Sequence, residues 1–390
     1  MPAMEQTLTL RVAAEGPGKP PARKAPASNT PKPRALDNLR LVFEQGGPGF
    51  AQFALNNACN ANCGFCNFAR ETFPKDKWIF AGREDGLKAI DTMFRNGIRY
   101  LLFTGGEPTL HPNLLEFTRH AHGLGMKVML VSNAGLFKPD KLRALHEAGI
   151  SSFIISVDAA TVEAHEKNRG LPGVCEKIKA ANTLFKELGV HSTASVTMSR
   201  LVDYDALPAF VEDLGFASVT FSYPLTGLES NFLGYSTSDL VNYTKDELIA
   251  AFDKVKALKS RMQVLNPSAS IEEMKRYISG GEQKFPCLGG YKYFYLDWNL
   301  MMWRCHNWAE PMCHISEFDE TKLVRDGCTK CMIDCYRDSS VMHHIGVSIH
   351  DSYQAFKQGR VGEGFQALTR KGNLDSIGSV LEELPWLLRF

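Results

Sequence analysis

The sequence contains no apolar run of the ~20 residues that a membrane-spanning helix needs, so no integral membrane segment is expected. The N-terminus shows no apolar core of the kind a signal peptide carries. Neither sign of charge is in excess: 44 basic against 43 acidic residues leave a formal net charge of +1. Such a balance creates no bulk field for DNA or an anionic membrane, and no nucleic-acid partner is expected. Cysteine, by contrast, is abundant. Ten is a high count without an export signal, and in a reducing, cytoplasmic compartment cysteines read as metal ligands or catalytic thiols rather than disulfides. Three lie within residues 59–66, six lie within 287–335, and Cys175 stands alone. Two dense groups flanking a cysteine-poor middle predict two metal sites.

At 390 residues and 44% hydrophobic, the chain can build a sizeable core, as one large domain with an appendage or as two. Residues 1–40 are rich in Pro, Ala, Lys and Arg without helical or strand periodicity, and a disordered tail is expected there. From residue 48, short β-rich runs (50–58, 98–104, 127–132, 152–157, 192–197 and 218–222) alternate with amphipathic stretches near 83–96, 113–124, 139–148, 173–188 and 203–214. Strands alternating with helices imply a parallel sheet. Six such units predict an α/β fold, a partial (β/α)6 TIM-like barrel over 48–225, with chemistry on the loops after the strands. A mostly helical bridge is expected over 226–283, a small cysteine-rich extension over 284–345, and a helical segment over 346–390.

The first cysteine group reads Cys59-Asn-Ala-Asn-Cys63-Gly-Phe-Cys66, directly after the first strand. A [4Fe–4S] cube normally takes four thiolates, so three would leave one iron open for chemistry. A zinc knuckle completed by a distant fourth ligand is the alternative. Further along, Thr104-Gly105-Gly106-Glu107-Pro108 closes the second strand, Ser132-Asn133-Ala134 the third and Ser156-Val157-Asp158 the fourth; HEKNRGLPG follows over 165–173.

Taken in that order, these motifs resemble the radical S-adenosylmethionine superfamily over roughly residues 48–225. The resemblance implies a [4Fe–4S] cluster on Cys59, Cys63 and Cys66 that chelates S-adenosylmethionine and cleaves it reductively. It also implies that Gly105, Gly106, Glu107 and Pro108 bind the cofactor's amino group. Glu107 is a candidate acceptor for that ammonium, and the glycines would let the backbone approach a ligand closely. Ser132, Asn133, Ser156 and Asp158 are candidates for the carboxylate and ribose hydroxyls, with strand-end capping as the plain alternative. Arg169 could hold a carboxylate, and Phe65 could pack on adenine.

The second group runs Cys287-x17-Cys305, then Cys328-x2-Cys331-x3-Cys335, with Cys313 between. The stretch between the first two suits a hairpin turning at Asp297-Trp298-Asn299. It resembles a SPASM/twitch auxiliary-cluster region, although Leu300 stands where such hairpins usually carry glycine. The resemblance implies a second [4Fe–4S] cluster on Cys287, Cys305, Cys328 and Cys331, with Cys335 as a substitute ligand and Cys313 a weaker one. A structural zinc site is the alternative. Cys175, on a helical pattern, is expected to be a core thiol.

The resulting expectation is radical-based oxidation or coupling of a small molecule, with flavodoxin or ferredoxin as electron donor. A peptide-modifying maturase and a non-catalytic Fe–S or zinc protein are the alternatives. Tyr223, Tyr291, Tyr293, Tyr295, Trp303, His306, Trp308, Arg337 and Asp338 are candidate substrate residues, most of them expected to be core.

Overall fold

The computed structural model describes residues 35–387. The tail expected over 1–40 lies outside the described residues as far as residue 34; from Ala35 to Gln45 the chain is helical (α1). Next come β1 (Gly49–Ala54), α2 (Arg83–Arg95), β2 (Ile98–Thr104), α3 (Leu114–Gly123), β3 (Lys127–Ser132), α4 (Pro139–Ala148) and β4 (Ile150–Val157). Then follow α5 (Val162–Arg169), α6 (Val174–Leu188), β5 (His191–Thr197), α7 (Leu207–Asp213) and β6 (Ser218–Ser222). The remainder is α8 (Lys245–Leu258), β7 (Gln263–Val264), α9 (Ser268–Ile278), β8 (Tyr293–Leu296), β9 (Met301–Trp303), β10 (Cys313–His314), α10 (Asp334–Lys357), α11 (Val361–Leu368) and α12 (Asn373–Leu387).

β1 to β7 are parallel and neighbours in chain order, while β8 pairs in parallel with the outer edge of β1 and leads into the antiparallel β9 and β10. The sheet is an open, partial barrel. Period-two alternation along each strand sends one set of side chains to the helices and the other to the lumen. On β5, Ala194 and Val196 are fully buried under the helices, while Thr193, Ser195 and Thr197 face the lumen. The outer faces meet the helices in an apolar core that includes Phe53, Phe103, Phe117, Phe153 and Phe185. Each such ring contributes about 1.5–3 kcal/mol relative to exposure.

Two features differ from expectation. Residues 223–244 form an irregular crossing loop rather than helix. The boundary expected at 345/346 falls inside α10, a single helix of 24 residues. That helix fills the seam between the barrel's two edges. Its Tyr336 ring packs edge-on to Tyr293 of β8 at 4.8 Å. On the other side Asp334 accepts from the Tyr223 N–H just past β6 at 2.8 Å, and Asp338 accepts from Asn266 just past β7 at 2.9 Å. The hairpin turns where expected, with the Asp297 carboxylate accepting from the N–H groups of Asn299 (2.8 Å) and Met301 (2.9 Å). Leu300 adopts φ 61°, the left-handed conformation that glycine would take without strain.

Candidate functional site

A cavity of about 770 Å³ occupies the lumen and is bordered by Cys59, Cys63, Cys66, Phe65, Gly105, Gly106, Glu107, Ser132, Asn133, Ser156 and Arg169. These residues come from the loop after β1, the ends of β2, β3 and β4, and the end of α5. Two sequence candidates lie behind its wall. Pro108 starts a short 3-10 turn, and the fully buried Asp158 turns to Arg169 at 2.5 Å and to Asn168 at 2.8 Å. Asp158 therefore positions Arg169 instead of meeting a ribose.

The cysteine loop is fastened to the barrel at several points. The N–H groups of Gly106 and Glu107 donate to the carbonyls of Asn56 (3.0 Å) and Ala58 (2.7 Å). A Cβ on Gly105 would lie 2.2 Å from the Asn56 oxygen, and one on Gly106 2.1 Å from the Ala58 oxygen. The close approach that requires glycine is thus to the cysteine loop's own backbone. Glu107 Oε1 accepts from the Thr109 N–H, the Thr109 hydroxyl and the Ser132 hydroxyl, and its Oε2 from the Asn133 N–H. Its carboxylate ties β2 to β3 and retains acceptor capacity chiefly on Oε2. Ser132 and Asn133 are engaged in the same bracing, since Asn133 Nδ2 donates to Asn60 Oδ1 at 2.8 Å and lies 3.8 Å from Cys59 Sγ. Asn168 accepts from the Gly64 N–H at 3.2 Å, and the Arg169 carbonyl accepts from the Asn62 N–H at 2.8 Å. Asn60 and Asn168 were missed in the sequence, where only a turn-prone loop and an HxxxRG stretch were visible.

All three thiols are free. Burial raises Cys59 to about 11 and Cys66 to about 12, and Cys63 higher still. Arg169 opposes each shift, and its own charge, disfavoured by burial, is restored chiefly by Asp158 and then by Cys63. Its Nε is buried without a partner. Buried thiols beside one guanidinium, with the Ala61 N–H 3.4 Å from Cys59 Sγ, form a donor set that metal can ionise and fixed N–H groups can support. This suits an iron–sulfur cluster. Among the described residues no three His, Cys, Asp or Glu side chains converge closely enough to hold one metal ion. A cube of iron and sulfide holds its thiolates further apart than a single ion does.

The second group gathers away from the lumen. Cys305, Cys287 and Cys331 surround Ile333 and Tyr336. Cys328 joins them through its carbonyl, which accepts from the Cys287 N–H at 2.9 Å. Asp326 accepts from the Cys328 N–H at 3.1 Å and pairs with Arg304. Burial raises Cys305 to about 12, with Cys331 and Cys287 adding to the shift. The four favoured cysteines are therefore brought together. Cys335 packs against the same group of side chains but also borders the cavity, beside Gln52 and Tyr293, whereas Cys313 lies in the main core and Cys175 is a fully buried core thiol. Among the candidate substrate residues, Tyr223, Tyr293, His306 and Asp338 border the cavity. Tyr295 and Trp303 are core, Tyr291 and Trp308 stack with cations, and the buried Arg337 donates to the Phe285 carbonyl.

Residues 54–214, the segment that carries the cysteine loop and the motifs at the ends of β2, β3 and β4, match the model of the Radical SAM superfamily. Over these residues the chain is similar to the radical SAM superfamily. Its cysteine-rich C-terminal part fits a SPASM/twitch-like region. The chain is 30% identical over 189 residues to an AdoMet-dependent heme synthase of Oleidesulfovibrio alaskensis, covering 46% of this chain and 47% of that one. It is 29% identical over 164 residues to a GTP 3',8-cyclase of Chlorobaculum tepidum, covering 42% and 49%. The matched segment thus spans about half the length of these curated relatives. Among solved structures, anSMEcpe with bound AdoMet aligns over 87% of this chain and 98% of that one, with a TM-score of 0.51 at 15% identity, a likeness of fold. Among the described residues, no helix is long and apolar enough to cross a membrane.

Proposed function

We propose that this radical SAM chain is an enzyme that oxidises or couples a small molecule. Cys59, Cys63 and Cys66 would hold a [4Fe–4S] cluster that, reduced by an external donor and with S-adenosylmethionine bound, would supply one-electron cleavage of the cofactor with methionine as leaving group, and so the means to take a hydrogen atom from substrate. The observation that carries this reading is the shared cavity: Cys59, Cys63 and Cys66 border the same space as the hydroxyls of β5 and β6 and as α10.

The chain's own residues prepare the site. Cys59, Cys63 and Cys66 would hold the cluster, and Arg169 offsets the negative charge of three thiolates. Fixed donors at Ala61 and Asn133 support the Cys59 sulfur, so little reorganisation is needed when charge changes. Ser156 and Phe65 border the space next to this loop and would contact the cofactor. Helix α10 closes the seam and limits water around a reactive species. Cys287, Cys305, Cys328 and Cys331 would hold an auxiliary cluster that exchanges an electron with the substrate. The setting is cytoplasmic, with a flavodoxin or ferredoxin as donor.

The test is anaerobic reconstitution, iron counting, reduction with dithionite and addition of S-adenosylmethionine. About eight irons per chain and release of 5'-deoxyadenosine support the reading with two clusters. Bound zinc without cofactor cleavage would replace it with a non-catalytic metal protein.

A further inference from the structure

The first half of α10 forms the cavity wall that seals the barrel seam. Asp334, Cys335, Asp338, Ser339, Met342 and His343 recur at helical spacing, and all border the open space. Asp334 and Asp338 lie one turn apart, so their carboxyls share one patch. Both are held in fixed orientation: Asp334 by the Tyr223 N–H, Asp338 by Asn266 Nδ2 and the Ser270 hydroxyl. Among the described residues neither has an ion-pair partner. Arg337, between them in sequence, turns away to Glu273 and the Phe285 carbonyl. The cavity's own cations lie elsewhere, Arg169 by the cysteines and Lys127 at the start of β3.

A second, independent feature points to a polar ligand. His306 is 3% exposed, borders the cavity and has an Nε2 with no hydrogen-bond partner. Its ring is fixed by stacking on Phe232 at 4.0 Å and by the edges of Tyr295 and Tyr336. A buried ring nitrogen held this rigidly and left without a partner lacks one that a ligand atom at the cavity wall would supply. The lumen also carries hydroxyls from β5 and β6, where Thr193, Ser195, Thr220 and Ser222 border the space.

We propose that the substrate is a small polar amine whose ammonium sits between Asp334 and Asp338, with a hydrogen-bonding group on His306 Nε2. The proposal rests on the radical-chemistry reading for why a substrate occupies this cavity. Two rigidly held acids without an ion-pair partner on one cavity wall favour a cation over a neutral or anionic ligand, because a cation offsets what burial costs their charged forms. The lumen hydroxyls then meet the rest of a hydroxylated molecule.

The test is calorimetric titration of the reconstituted holoprotein with S-adenosylmethionine present. The probes are glucosamine against glucose, and 1,4-diaminobutane against 1,4-butanediol. Each amine should bind about tenfold or more tightly than its neutral counterpart. Asp334→Asn and Asp338→Asn, which keep an acceptor oxygen, should each remove about that preference, while the exposed Glu320→Gln should leave it intact. Circular dichroism and iron content check the variants, and the wild-type amine-against-alcohol comparison stands without them. Equal binding of amine and alcohol, full affinity in both Asn variants, or no binding of either amine up to about 20 mM would overturn the amine site. 5'-Deoxyadenosine, measured on the same samples, separates the two readings. Amine preference without cofactor cleavage sinks the radical reading alone, whereas cleavage with indiscriminate binding sinks the amine site alone.

Discussion

The two cysteine groups are built in opposite ways. The first sits on a loop that the barrel holds at many points: Gly106 and Glu107 through backbone bonds, Asn133 through Asn60, Asn168 through Gly64. The second is assembled from a hairpin base, the loop before Cys328 and α10, joined by the Arg304–Asp326 and Arg325–Asp351 pairs and by bonds from the N–H groups of Cys287 to the Cys328 carbonyl and of Leu288 to the Ser340 hydroxyl. One site is ordered by its scaffold. The other is gathered from segments far apart in the chain, which metal ligation would staple together. Reactive chemistry needs the former, because ligand positions must be fixed before the reaction begins.

The sharpest way to break the comparison is to remove one thiol from each group. Cys63→Ala should abolish 5'-deoxyadenosine formation, whereas Cys305→Ala should spare some cleavage and block substrate turnover. Normal cleavage by Cys63→Ala would mean that the cysteine loop is not the reactive site. A second large effect is expected at Arg169, whose partner Asp158 is fully buried. Arg169→Met should cost about 3–5 kcal/mol in a urea titration, because it strands a buried carboxylate. Replacing both partners by apolar residues should cost less, and an equal cost would remove the ion pair as the cause.

Acid should reach the barrel through His165. Burial lowers this ring from 6.5 to about 4, so its neutral form stabilises the fold fully above pH 6.5. That contribution is lost as pH falls toward 4, about 3 kcal/mol in all. Denaturant midpoints measured from pH 7 to 4.5 should fall less steeply in His165→Gln; an unchanged slope would assign the acid sensitivity elsewhere. The smallest effect belongs to the second region. Asp326→Asn removes the Arg304 pair, half of which is in solvent, and should cost about 1 kcal/mol or less. Its clearer readout is auxiliary iron, which should be lost to a chelator faster than from the wild type while the first site holds.

Much of the barrel was legible in the sequence. β2, β3 and β6 begin and end where the β-rich runs placed them, and α4 matches its expected span. α5 was read only as a motif because it is short and polar, although Thr161 accepts from the Ala164 N–H as an N-cap should. α10 was divided in two because serines and histidines occupy buried positions along it: Ser340, His344, Ser348 and Ser352. These side chains bond to neighbouring backbone and to α12 and its approach, as Ser348 does with Asn373 at 2.8 Å. An amphipathic pattern carries no trace of that kind of packing.

The sequence by itself determined the cysteine spacing, the paired glycines and the order of strands, because each is a local pattern with a local physical reason. Only the tertiary structure decided that the glycines grip the cysteine loop, that Asp158 stands behind Arg169, and that Cys335, packed with its group, also borders the lumen. It also brought Asp334 and Asp338 into the cavity bordered by Cys59. These depend on α10 filling the open seam of the barrel, a contact between residues far apart in the chain, and no local periodicity encodes which surface a helix will meet.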